Sequence, residues 1–466
     1  MQLNPAENVP GGKLTATSLG TARRAPVALV GSVTKTARFL YALGGDSGAT
    51  SGALATIEIA SLTPFGDLGT FRAAAKPLPA ARTFAGGAAI GRFLYLVGGD
   101  TGGGATTSVV RAEVLRTEDT PEIDGDLQIA LDPAGLAPGL WYYQVSAVMA
   151  GDDADNPGGE TLPSEPLPIQ VPPWAPDHFR VTFRWTPVAG ATQYRIYRSP
   201  GPGGGLAGVR LIGKVDAPAV VFSDAFAPAD ANERPRQLGD LGEWDTRMPS
   251  LGTARAEFGL AVATDPKDRA IRHLYAVAGR SAGANVGSYE VLTITLGADG
   301  SQAVGASWAS GGANTLALKR GLAAYAADAT VNADTFDLDE TWIYAGSGIG
   351  TAADAARFQS ARVLAGGLLG NWQTAFTGNV GKSGYGGVAA SSQLFVMGGS
   401  STGAPSDDRD SGLVQAGGFL NNVNATSFAL DHVRALMGAT LGSGRIFLVG
   451  GVDGAGALKS IESSVW

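Results

Sequence analysis

Arg92-Phe93-Leu94-Tyr95-Leu96-Val97-Gly98-Gly99-Asp100 is a run of five apolar, β-favouring residues set between an arginine and a glycine pair. A run this short, stopped by glycines, predicts a strand buried on both faces rather than a helix. Paired glycines permit positive φ and close backbone approach, so the strand should end in a tight, crowded turn. Variants recur along the chain: Arg38-Phe39-Leu40-Tyr41-Ala42-Leu43-Gly44-Gly45-Asp46, His273-Leu274-Tyr275-Ala276-Val277-Ala278-Gly279, Trp342-Ile343-Tyr344-Ala345-Gly346, Gln393-Leu394-Phe395-Val396-Met397-Gly398-Gly399 and Arg445-Ile446-Phe447-Leu448-Val449-Gly450-Gly451. Most copies lie roughly 50 to 65 residues apart, a period that marks repeat architectures. The interval from Gly99 to Gly279 is about 180 residues and must hold something else.

Other elements repeat around this one. A small-residue segment precedes it, as in Ala81-Arg82-Thr83-Phe84-Ala85-Gly86-Gly87-Ala88-Ala89 and Ala254-Arg255-Ala256-Glu257-Phe258-Gly259-Leu260-Ala261-Val262. Small side chains suit an innermost strand where several sheets crowd one axis. A third strand follows a variable loop, as in Thr56-Ile57-Glu58-Ile59. An outer element then carries an aromatic: Phe71, Trp244, Trp308 or Trp372. Repetition at one position assigns these aromatics to the core.

Four short strands per repeat make the unit of a propeller. The Gly-Gly pair, the later Trp and the Arg opening each repeat resemble the kelch family of β-propellers, over roughly three quarters of the chain. The resemblance implies six blades. Blade four departs from it with Gly346-Ser347-Gly348, and blade five with Lys382-Ser383-Gly384-Tyr385 where Arg is expected. The last repeat lacks its outer strand. Ser18-Leu19-Gly20-Thr21-Ala22-Arg23 is identical to Ser250-Leu251-Gly252-Thr253-Ala254-Arg255, which follows an outer strand. Residues 13–17 should therefore complete the last blade against 459–465, since an open blade would expose an edge.

The long interval contains alternating segments, Trp141-Tyr142-Tyr143-Gln144-Val145-Ser146-Ala147-Val148 and Phe179-Arg180-Val181-Thr182-Phe183-Arg184-Trp185, with Tyr194-Arg195-Ile196-Tyr197-Arg198-Ser199 beyond. These resemble a fibronectin type III sandwich whose strand order is permuted. One circularly permuted domain and two partial sandwiches are both compatible. The resulting organisation is all-β: residues 1–117 and 237–466 form a six-bladed propeller closed by its N-terminal strand, and 118–236 form the inserted sandwich.

Composition narrows the function. The net charge of −8, with 16% charged residues, argues against a nucleic-acid surface. Cys 0 removes disulfides and thiolate chemistry. No apolar run approaches the 18 or so residues of a membrane helix, and the first residues carry no secretory pattern. Partners are thus expected to be other proteins of an assembly or a host-surface glycan or protein, with no membrane insertion and no cofactor.

Strand topology puts the blade-opening Arg23, Arg82, Arg255, Arg320 and Arg434 on one face with Asp46, Asp100 and Asp453. A ring of planar guanidinium forks would suit an anionic or polyhydroxylated ligand. The same residues could instead satisfy loop carbonyls and each other. Asp152-Asp153-Ala154-Asp155 and Asp407-Asp408-Arg409-Asp410 could bind Ca²⁺ or simply be solvated. Trp174 matches no repeat and is a candidate exposed contact. His178, His273 and His432 are not placed to converge as metal ligands. Some kelch relatives are copper oxidases that use a Cys–Tyr crosslink, which this chain cannot make. No nucleophile elbow or P-loop is present. The expected role is a non-enzymatic binding or structural protein, a virion component such as a phage-tail or capsid-associated receptor-binding protein made in the host cytosol. A bacterial carbohydrate-binding surface protein and a kelch-type sugar isomerase or oxidase are the alternatives.

Overall fold

The computed structural model describes residues 13–465 apart from 35, 49–51, 174–177, 318–320, 322, 330–339, 347, 349–356, 378–380, 391, 402 and 426–428. Arg320 and Trp174 lie outside the described residues. The described chain is all-β, small antiparallel sheets with two single 3-10 turns at Thr117–Asp119 and Ala416–Gly418. It divides into two compact units, Met1–Arg111 with Thr246–Trp466, and Ala112–Asp245.

Among the described residues, six larger sheets and a two-stranded one, Arg280–Ser281 with Ala284–Asn285, belong to the first unit. Sheet one runs Val27–Ser32, Arg38–Leu43, Ile57–Leu62 and Arg72–Ala73. Sheet two has Gly86–Ile90, Phe93–Val97 and Val109–Glu113. Sheet three has Gly259–Thr264, Ile271–Val277 and Tyr289–Leu296, the last paired by both Gln302–Val304 and Ala309–Ser310. Sheet four is Ala323–Ala329, Glu340–Gly346, Arg357–Arg362 and Gln373–Thr377. Sheet five is Gly386–Ala390, Gln393–Met397, Arg409–Val414 and Leu420–Ala425. Sheet six combines Gly438–Gly442, Arg445–Val449 and Ser460–Val465 with Lys13–Ser18 from the other end of the chain. That last pairing is antiparallel, with Lys13 opposite Ser463 and Ser18 opposite Ser460.

The second strands are continuous apolar runs because both of their faces are covered. All five residues of Phe93–Val97 are buried. Phe93, Tyr95 and Val97 pack against Leu274, Ala276 and Leu292 of sheet three. Each such side chain contributes roughly 1.5–3 kcal/mol by leaving water. Sheets three and four, four and five, five and six, and six and one share cores in the same way. The first strands touch in cyclic order, sheet one to two to three to four to five to six and back to one. Their small residues follow from that crowding: a Cβ on Gly86 would stand 2.8 Å from Leu260.

A closed set of backbone hydrogen bonds sits where the chain enters the first strands. Phe84 N–H donates to Ala25 O, Glu257 to Phe84, Gly321 to Glu257, Gly384 to Gly321, Leu436 to Gly384, and Ala25 to Leu436, at 2.5–3.4 Å. All six residues have positive φ, from 46° at Ala25 to 62° at Gly321 and Gly384. The left-handed conformation costs a non-glycine residue about 1–2 kcal/mol. An orphaned buried backbone group costs about 1–3 kcal/mol, so at Ala25, Phe84, Glu257 and Leu436 the bond offsets the strain.

The second unit is a two-sheet sandwich. One sheet orders Leu167–Val171, Gly139–Met149, Ala191–Arg198 and Arg210–Asp216. The other orders Val221–Asp224, Phe179–Arg184 and Gln128–Leu136. Residues of both sheets, including Trp141, Tyr143, Phe183, Trp185 and Tyr194, share one core. The ends of the unit run side by side: Val114 pairs with Leu241, and Gly242 N–H donates to Glu113 O at 2.8 Å.

Gly384→Val tests the hydrogen-bond ring. A Cβ there meets Leu436 Cδ2 at 2.5 Å, and φ is +62°. Strain and overpacking together should cost about 2–5 kcal/mol, read as a lower urea midpoint at unchanged m.

Candidate functional site

The repeated arginines turn inward. Arg23, Arg255 and Arg434 are 0% exposed and Arg82 is 2% exposed. Arg23 Nη1 donates to Gly44 O at 2.7 Å and Thr56 O at 2.9 Å, and Nη2 reaches Glu58 Oε1 at 2.8 Å. Arg255 does the same with Ala278 O, Ser288 O and Glu290 Oε1, at 2.8, 2.9 and 2.9 Å. Arg434 reaches Gly450 O and Glu462, the latter at 3.1 Å. Burial pushes the Arg434 guanidinium down and the Glu462 carboxyl up, against their mutual attraction.

The carboxylates also hold the incoming chain. Glu58 accepts the N–H groups of Gly20 and Thr21 at 2.5 and 3.0 Å, and Glu290 accepts those of Gly252 and Thr253 at 2.5 and 3.1 Å. This explains the duplicated Ser-Leu-Gly-Thr-Ala-Arg segment: its N–H groups and its guanidinium meet one acceptor. Glu58 and Glu290 stand second in their third strands and Glu462 third in its own, opposite Ala42, Ala276 and Leu448. Gln359 holds that register in sheet four and accepts the Ala317 N–H at 2.9 Å.

Sheets five and two vary the pair. In sheet five the carboxylate is Asp410, opposite Val396, and Lys382 Nζ lies 2.7 Å from it and 2.9 Å from Asp408. Lysine for arginine is matched by aspartate for glutamate. In sheet two Arg82 donates to Gly98 O at 3.2 Å and Ser108 Oγ at 3.3 Å. Desolvation lowers its pKa.

The aspartates, half-buried at Asp100 and Asp453 and buried at Asp46, shape the glycine-pair loops. Asp100 Oδ1 accepts Gly102 and Gly104 N–H, while its Oδ2 meets Arg280 Nη2 at 3.3 Å. Asp46 accepts Gly48 N–H at 2.6 Å and pairs with Arg24 at 2.7 Å. Asp453 takes His432 Nε2 at 2.9 Å and the Ala455 N–H, and these bonds lower its pKa. Among the described residues, the arginines and aspartates thus share the loop end of the sheets without forming one exposed ring. What opens there is a cavity of about 190 Å³ lined by the hydrogen-bond ring, with Phe84, Phe258, Tyr385 and Leu436 around Glu257. Glu257 accepts Arg280 Nε at 3.0 Å.

A third polar feature joins sheets three and four. His273, fully buried, meets Asp265 Oδ2 at 2.9 Å and Thr293 Oγ1 at 3.1 Å. Asp265 also accepts the Gly366 N–H at 2.8 Å. Burial pushes its carboxyl up, but hydrogen bonds from His273 and from the N–H groups of Lys267, Gly366 and Asp268 outweigh this and hold it at about 2. The sequence marked this histidine only as lying in a strand. Among the described residues no three His, Cys, Asp or Glu side chains stand close enough to hold a metal ion, and no helix is long and apolar enough to cross a membrane.

No family model matches the chain, and no curated protein matches it. Among solved structures, the one titled "Structure of YjhT" aligns over 96% of this chain and 95% of its own, at 11% identity and a TM-score of 0.43.

Two stability measurements check these assignments. Arg255→Ala leaves Glu290 buried without its guanidinium and should cost about 3–5 kcal/mol. Arg82→Ala removes hydrogen bonds to neutral acceptors and should cost about 1–3 kcal/mol. Chemical denaturation should rank them in that order. For Asp265 the folded value lies below the ordinary 3.8. Its contribution is full above that value and is lost as pH falls through about 2. The difference in urea midpoint between wild type and Asp265→Asn should therefore be widest at pH 5 and shrink steadily toward pH 2.

Proposed function

We propose that the chain is a non-enzymatic binding and structural protein. In this reading it is a six-bladed kelch-like β-propeller closed by its N-terminal strand. A single permuted, fibronectin type III-like sandwich is inserted at its second blade. It serves as an adhesion or receptor-binding component of a larger assembly, with a virion, as in a phage tail or capsid, as the favoured setting. The carrying observation is the inward commitment of the repeated charged pairs. Arg23–Glu58, Arg255–Glu290, Arg434–Glu462 and Lys382–Asp410 each tie a glycine-pair loop or a lead-in segment to its own sheet. Groups engaged this way support a rigid scaffold whose contacts are made by loops and by the insertion. The step from scaffold to virion is an analogy of architecture.

Mass spectrometry of purified particles from the native source tests the setting. The protein should co-purify with the particle at a fixed ratio to its major structural protein. Its recovery only in the soluble fraction, with none in particles, refutes the virion assignment. Turnover of a free sugar by the purified chain refutes the non-enzymatic one.

A further inference from the structure

Lys382 and Asp410 differ from the other latching pairs in reactivity as well as in length. Arg23, Arg255 and Arg434 carry guanidinium groups, which stay charged and so offer no free lone pair. Lys382 carries an amine, which becomes a nucleophile once it loses a proton. Both members of the pair are buried, at 7% exposure for Lys382 and 4% for Asp410. Asp410 stands opposite Val396, a member of the core that also holds Tyr325 and Tyr385. Lys382 Nζ lies 2.7 Å from Asp410 Oδ2 and 2.9 Å from Asp408 Oδ2. Asp408 is exposed, so a second carboxylate reaches the same nitrogen from the solvent side.

An amine and a carboxyl group condense to an amide when they are held together and water is kept away. A nitrogen in hydrogen-bond contact with one carboxylate oxygen is close to the separation of about 3–3.5 Å from which reacting atoms join. Well-oriented neighbours reach effective molarities of about 10⁵–10⁸ M, which outweighs the water that opposes condensation. Burial favours the product further. Two charges held out of water are costly, and an amide carries neither.

We propose that Lys382 and Asp410 join in an intramolecular isopeptide bond, with Asp408 carrying the protons. Asp408 takes a proton from the ammonium and passes it to Asp410, which leaves an amine beside a neutral carboxylic acid. Nζ attacks Cγ, and a C–N bond forms. A second proton moves from Nζ through Asp408 to the departing hydroxyl. The C–O bond breaks and water leaves. One ammonium and one carboxylate thus become one amide and one water, with no oxidant, reductant or cofactor consumed. The bond ties the segment just ahead of Gly384 to the third strand of sheet five, a covalent clasp in a chain with Cys 0. The proposal goes beyond the adhesion reading and does not depend on it.

Intact-mass spectrometry of the purified full chain, unfolded in denaturant, tests the bond. The wild type should weigh one water less than its sequence. Peptide mapping should recover a branched peptide in which Lys382 is joined to Asp410. Lys382→Arg restores the cation of the other sheets, and it should return the full sequence mass with an unchanged circular dichroism spectrum. Asp408→Asn should link about a hundredfold more slowly, and so be recovered largely at its full sequence mass. The proposal is overturned if the folded wild type keeps its full sequence mass. It is also overturned if Lys382→Arg shows the same loss of water, which places the dehydration elsewhere, as in an aspartyl–glycine imide. Linkage of Asp408→Asn as complete as that of wild type removes Asp408 from the reaction. Mapping of the wild type locates the bond without any variant, so the test stands even if Lys382→Arg fails to fold.

Discussion

Six N–H···O=C bonds, running from each sheet to the one before it and from sheet one back to sheet six, bind the start of every first strand to its neighbours. A cycle of this kind has no loose end, so no member can be withdrawn without leaving a donor and an acceptor unpaired. Much else follows from it. The six residues must take positive φ to turn their amides sideways. The strands that follow must approach closely, which restricts them to small side chains such as those of Gly86-Gly87-Ala88-Ala89. The apolar second strands then complete the packing between neighbouring sheets.

The charged pairs act one step further out. A buried arginine needs a partner, and a buried carboxylate needs donors. Joining them at the point where the chain crosses from one sheet to the next satisfies both and fixes the crossing. The Lys382–Asp410 pair keeps the function with a lysine in the lead-in segment and a shorter carboxylate on the third strand. Arg82 depends on carbonyl and hydroxyl oxygens. The latch therefore tolerates changes of chemistry so long as the guanidinium or ammonium reaches the glycine-pair loop or the third strand.

The strands were the legible part of the sequence. Short apolar runs stopped by glycine admit few alternatives, and Phe93–Val97 is the strand that its residues describe. The pairing of Lys13–Ser18 with Ser460–Val465 was legible from a six-residue duplication. The direction of the arginines was not. An arginine beside a loop looks alike whether it faces solvent or a carboxylate in the third strand. A usable signal lay in the spacing: Arg23 and Glu58 are 35 residues apart, as are Arg255 and Glu290. Lys382 read as a departure because its partner, Asp410, sits in an acidic stretch that resembles a solvated loop or a cation site. The hydrogen-bond ring had no sequence signal at its non-glycine positions, since Phe84, Glu257 and Leu436 are residues that ordinarily avoid positive φ.

The ring has an electrical consequence for the cavity it lines. Peptide groups arranged head to tail around a closed circuit have dipoles whose components in the plane of the circuit cancel. Their amide hydrogens are already bonded, so they offer no nest of free donors to an anion of the kind found at a helix start. The potential at that opening is accordingly left to side chains, among which, of the described residues, Glu257 lines the cavity and is joined to Asp100 by Arg280. These charges are carried by residues on the loops rather than by the repeated framework. The framework supplies geometry, and polarity at the axis can change with single loop substitutions while the sheets stay as they are.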